Sequence, residues 1–69
     1  MVNKPEKLEV VKLFELLHEQ GLGFEDIAIK MGRRYNTVWA WATASQVNRV
    51  PCVGEWETLK RIAGQTNGN

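Results

Sequence analysis

The sequence predicts an all-α single small domain of four to five short helices with a central helix-turn-helix. Three observations point there. Apolar residues recur at helical spacing in four separate runs, and no stretch alternates as a strand would. Glycines stand where those runs stop, the place where a left-handed residue closes a helix at low cost. Two of the runs are short and are separated only by a tight turn bearing Gly32.

The first helix is expected from Pro5 to Gln20. Proline suits a first helical turn because its missing N–H would be unpaired there anyway. Asn3 is placed to cap it, and Glu6 sits near the positive end of the helix dipole. Val10, Leu13, Phe14 and Leu17 form the inward stripe, widened by Leu8, Val11 and Leu16, with Gly21 and Gly23 as stops. So broad a stripe exceeds one core-facing side; most of it is core, and any excess could serve a partner surface, including a second copy of the chain. A second helix is expected from Phe24 to Met31, with Phe24, Ile27, Ala28 and Met31 on one face and Gly32 at its end. Glu25 and Asp26 read as partners of its dipole. The third runs from about Tyr35 or Asn36 to Ala44, capped by Asn36 or the backbone before it, and turns Val38, Trp41 and Ala42 inward. After a polar loop from Ser45 to Pro51, a fourth helix from Glu55 to Ala63 buries Trp56, Leu59, Ile62 and Ala63, and Gly64 ends it.

The 69 residues, 43% of them apolar and 25% charged, fit one domain over 1–69, with 1–4 and 65–69 as expected flexible tails. No apolar run approaches the ~18 residues of a membrane span, and no basic-then-apolar leader opens the chain. With one cysteine, Cys52, and one histidine, His18, neither an intramolecular disulfide nor a zinc-type site can be assembled. No metal or other cofactor is expected, and a reducing, cytoplasmic setting fits. Cys52 reads as a buried or half-buried small side chain, and His18 as a solvated one.

The net charge of +1 is unevenly spread. The stretch up to Asp26 holds six acids against three lysines, whereas Ile27 to Gly54 hold no acid and four bases: Lys30, Arg33, Arg34 and Arg49. A chain of this kind can show a positive face to a polyanion while its other face stays acidic.

Helices that cross closely at a tight corner need a small residue near the middle of the first, Gly in the turn, and interlocking apolar residues. Ala28, then Gly32 four residues on, Val38 six further and Trp41 three further meet that demand, with Ile27 and Met31 completing the set. On these residues "FEDIAIKMGRRYNTVWAWA" resembles the helix-turn-helix of the phage Cro and repressor proteins, the lambda-repressor-like family. "NRVPCVGEWETLKRIAG" is similar to the segment that closes such domains. Three positions depart from the family pattern. Phe24 stands where a polar, phosphate-bonding residue is usual, Arg33 where a small aliphatic residue fills the corner, and Trp39 where an outward small or polar residue is commoner.

The resemblance implies a sequence-specific double-stranded DNA-binding transcriptional regulator, a small repressor of phage or plasmid type in a prokaryotic cytoplasm. Its recognition helix, about 35–44, would lie in the major groove. Carried over by position, the base readers are Arg34, Tyr35, Asn36, Trp39, Ala40 and Thr43, and the phosphate contacts are Lys30, Arg33, Thr37, Asn48 and Arg49. Arginine can bond guanine bidentately, asparagine can bond adenine, and Thr or Ala can pack on a thymine methyl. One such helix reads few base pairs, so a homodimer on two half-sites is expected.

Plainer readings stand beside these. Trp41 and Trp56 read as core. Trp39, two residues from Trp41, points away from it, either toward a partner or under the loop. Arg33 could lay its stem over the corner and expose its head, and Tyr35 and Asn36 could merely begin a helix. The competing function is a protein-docking module using the same corner, since exposed Trp and Arg are enriched at interfaces. An enzyme is not expected: no phosphate loop is present, and the chain is too short to enclose a small-molecule pocket easily.

Overall fold

The computed structural model describes residues 4–66, which form four α-helices and no strand: α1 Lys7–Glu19, α2 Phe24–Met31, α3 Tyr35–Ala42 and α4 Val53–Thr66. α1 packs against α3 and α4, and α2 packs against the same two. The enclosed core is made of Val10, Phe14 and Leu17 from α1, Ile27 and Ala28 from α2, Val38 and Trp41 from α3, and Trp56, Leu59, Ile62 and Ala63 from α4. Each is an apolar residue that helical spacing places inward, and burying one of the larger ones contributes about 1.5–3 kcal/mol.

α2 spans the residues that the sequence predicts. It is closed by two hydrogen bonds of a Schellman motif, from Gly32 N–H to the Ile29 carbonyl at 3.2 Å and from Arg33 N–H to the Ala28 carbonyl at 2.9 Å. Gly32 supplies the left-handed residue, with φ of 67°. α1 ends the same way at Gly21, whose N–H meets the His18 carbonyl at 3.0 Å while Leu22 N–H meets that of Leu17 at 3.0 Å.

Other ends differ from expectation. α1 begins at Lys7 with Glu6 as its N-cap, so the buried Pro5 lies outside the helix; Asn3 lies outside the described residues. α3 stops at Ala42, two residues early, because Thr43 turns extended and its hydroxyl donates to the Trp39 carbonyl at 2.7 Å. α3 starts after Arg34, which occupies the N-cap position without a side-chain bond, so Asn36 is a helical residue and not a cap. α4 begins at Val53 and runs through Gly64 to Thr66, so Gly64 does not end it and the expected 65–69 tail begins as helix. Residues 1–3 and 67–69 of the expected tails lie outside the described residues. The widened α1 stripe is not core throughout, since Leu8 is 63% and Leu16 40% exposed.

Candidate nucleic-acid interface

Helix starts set the electrostatics of the surface. An N-terminus leaves backbone N–H groups unpaired and carries partial positive charge. In three helices an acid three residues past the N-cap reaches back to this end. Glu9 accepts from Glu6 N–H at 3.5 Å, and Asp26 accepts from Gly23 N–H at 3.2 Å. Glu55 accepts from both the backbone N–H and the thiol of Cys52, the thiol at 3.3 Å. α3 has no such acid: Thr37 takes that position and Arg34 stands at the cap. Its first turn therefore carries no carboxylate.

The outward side of α3 continues this surface. Asn36, Trp39 and Ala40 line an open cavity of about 410 Å³ together with Thr37, Trp41, Gln46 and Arg49. The far wall is therefore the loop after α3, whose own outer side from Ser45 to Arg49 borders a second depression. Trp39 is 41% exposed and forms part of the cavity, whereas Trp41 lies in the core. Lys30, Arg34, Asn36, Asn48 and Arg49 are exposed; Thr37, Ala40 and Thr43 are half-buried. Thr43 lies beyond the end of α3 with its hydroxyl already engaged.

Two of the candidate contact residues have partners within the chain. Arg33 Nε donates to the Glu55 carboxylate, joining the α2–α3 corner to the start of α4. The charge expected to meet a phosphate is thus compensated, and the residue braces the corner. Tyr35, half exposed, sets its ring edge-on against Phe24, centroids 5.9 Å apart. Phe24 also meets Phe14 at 6.2 Å and His18 at 4.7 Å, so an aromatic hub forms at the start of α2. His18 is exposed, yet its Nδ1 also bonds the Leu22 carbonyl at 2.8 Å. Cys52 is exposed, not buried, because it occupies the turn that begins α4.

Glu55 titrates below the ordinary glutamate value. Burial pushes it up, but the Cys52 thiol, the Arg33 guanidinium and the Cys52 N–H together outweigh that cost. Among the described residues no three His, Cys, Asp or Glu side chains gather as metal ligands would, and no helix is long and apolar enough to cross a membrane.

Lys7 is the residue that sequence reasoning missed. Its ammonium donates to the carbonyls of Ala40 at 2.9 Å, Trp41 at 2.6 Å and Arg49 at 2.9 Å. The first two are orphan carbonyls of the last turn of α3, at the negative end of a dipole whose last turn holds no basic residue. Partial burial lowers the pKa of Lys7. No local signal announces these contacts, which span 33 to 42 residues of sequence. No family model, curated protein or solved structure matches the chain.

Proposed function

We propose that this chain binds double-stranded DNA sequence-specifically, with α3 in the major groove, as a small transcriptional regulator. One observation carries the reading. Of the four helices α3 alone begins without an acid, and the surface from its start to Arg49 holds exposed Arg34, Asn36, Trp39 and Arg49 with no carboxylate in that span. A polyanion meets the positive end of a helix dipole, guanidinium and amide donors, and an indole along this span.

In this reading Arg34 and Asn36 bond base edges, while Trp39, Ala40 and Thr43 pack on sugar or thymine methyl. Lys30, Thr37, Asn48 and Arg49 hold phosphates and fix the register. Arg33 and Tyr35 act as braces, through Glu55 and Phe24. Two copies on related half-sites extend the readout, and the exposed Leu8 and Leu16 of α1 are candidates for the surface between them.

The test is Arg34→Ala and Asn36→Ala. Each should relax preference at one or two base positions at a cost of about 1–3 kcal/mol while thermal stability is kept. If both variants prefer the same duplex as the parent, α3 is not the reader. A second reading has one observation in its favour. Trp39 lies part-exposed in an open cavity beside Arg49, as an anchor for a protein partner would. Salt separates the two, because several neutralised phosphates make DNA affinity fall steeply with ionic strength and an indole-centred interface does not.

A further inference from the structure

The loop between α3 and α4 is held at both ends by one ammonium. Lys7 Nζ meets the Ala40 and Trp41 carbonyls where the loop leaves α3, and the Arg49 carbonyl where it turns toward α4. Between these ends lie two successive turns. Gln46 N–H donates to the Thr43 carbonyl at 3.0 Å, and Arg49 N–H donates to the Gln46 carbonyl at 2.9 Å. Ser45, Gln46, Val47, Asn48 and Arg49 are all exposed, so no apolar side chain anchors the loop before Val50 and Pro51. A segment with few buried contacts opens readily unless something straps it.

We infer that Lys7 is a positioning residue for the α3 face: without touching what that face binds, it holds Gln46 and Arg49 against Asn36 and Trp39 and so fixes the cavity they line. The inference rests on the DNA reading for the identity of the bound polymer, and on the three hydrogen bonds for the strap. An ammonium has three N–H donors. All three are matched by carbonyls, which leaves none for a phosphate. Any effect of Lys7 on binding therefore passes through the end of α3 and the loop, and through Arg49 above all.

The test combines amide hydrogen exchange of the free protein with duplex affinity for the parent, Lys7→Met, Arg49→Ala and the double variant. Methionine keeps an unbranched apolar stem and removes the donors. Exchange at the Gln46 and Arg49 amides should quicken roughly ten-fold or more in Lys7→Met, while amides within α2 keep their rates. Lys7→Met and Arg49→Ala should each weaken the duplex complex about ten-fold, with the double variant within about two-fold of either, because the two act as one unit. Unchanged loop exchange, or losses that multiply in the double variant, overturns the inference.

One measurement needs no substitution. The ammonium protons of Lys7 in the parent should exchange with water roughly ten-fold more slowly than those of the exposed Lys12. Equal rates overturn the strap even if Lys7→Met does not fold. Failure of the parent to bind any duplex overturns the DNA reading instead, and the exchange results then still decide the hold of Lys7 on the loop.

Discussion

The ring of Tyr35 stands edge-on to that of Phe24, 5.9 Å away and at 83°, joining the first residue of α3 to the first residue of α2. The contact extends inward, since Phe24 also meets Phe14 of the core and His18 of α1. Edge-to-face pairs add about 0.5–1.5 kcal/mol beyond the area they bury. Phe24→Ala is therefore expected to cost about 2–3 kcal/mol, below the usual range for a fully buried Phe. Denaturant unfolding checks this, and a loss under about 0.5 kcal/mol would contradict a structural hub at this position.

Gly32 and Gly64 should respond oppositely to one substitution. Gly32 has φ of 67°, and a Cβ there meets nothing within 4 Å, so the cost of Gly32→Ala is backbone strain alone, about 1–2 kcal/mol. Gly64 lies inside α4, also with open space around it, and Gly64→Ala should stabilise by about 0.5–1 kcal/mol. Thermal midpoints of the two variants would move in opposite directions. A fall for Gly64→Ala would mean that the helix stops there after all.

Acid should loosen the joint between Arg33, Cys52 and Glu55. The carboxyl of Glu55 is held below its ordinary value in the folded chain, so the folded state binds fewer protons there than the unfolded one. Its contribution is complete above about pH 4.5 and is lost as pH falls through the lowered folded value. Glu55→Gln should flatten that part of the stability profile. Parallel profiles for parent and variant would show that the carboxylate is not stabilised by its partners.

Arg33 and Lys30 differ in what DNA can use. Lys30 is exposed with no ion pair among the described residues, and Lys30→Ala should lower the dependence of affinity on log salt by about one unit of slope. Arg33 is paired with Glu55, so Arg33→Ala should leave the slope nearly unchanged. It should cost at most about 1 kcal/mol of stability, the scale of an exposed ion pair. Slopes measured by titration between low and moderate salt decide this, and a full unit lost in Arg33→Ala would restore it as a phosphate contact.

Local chemistry made much of the fold legible. Val10, Phe14 and Leu17, then Ile27 and Ala28, fall inward because helical spacing puts them on one side. α2 could be bounded correctly because Gly32 marks its end and two acids mark its first turn. α3 ends without a glycine, through the extended Thr43 and its bond to Trp39, so spacing alone runs the helix too far. At Gly64 the opposite error arises: a glycine reads as a stop, but nothing there requires a left-handed residue and α4 continues. At the candidate interface the exposed Asn36 and Trp39 follow from their places on α3, and Arg34 from its place at the cap before it. Lys7, Glu55 and the role of Phe24 depend on which distant segments meet, and spacing along the chain does not carry that.

Selection of binders from a pool of random duplexes at low salt, repeated at about 0.2 M, decides whether the chain reads DNA. A DNA reader of this kind should enrich a motif with two related halves about one helical turn apart, bound less tightly at the higher salt. Absence of duplex binding at both salts would contradict it and turn attention to a protein partner docking on Trp39.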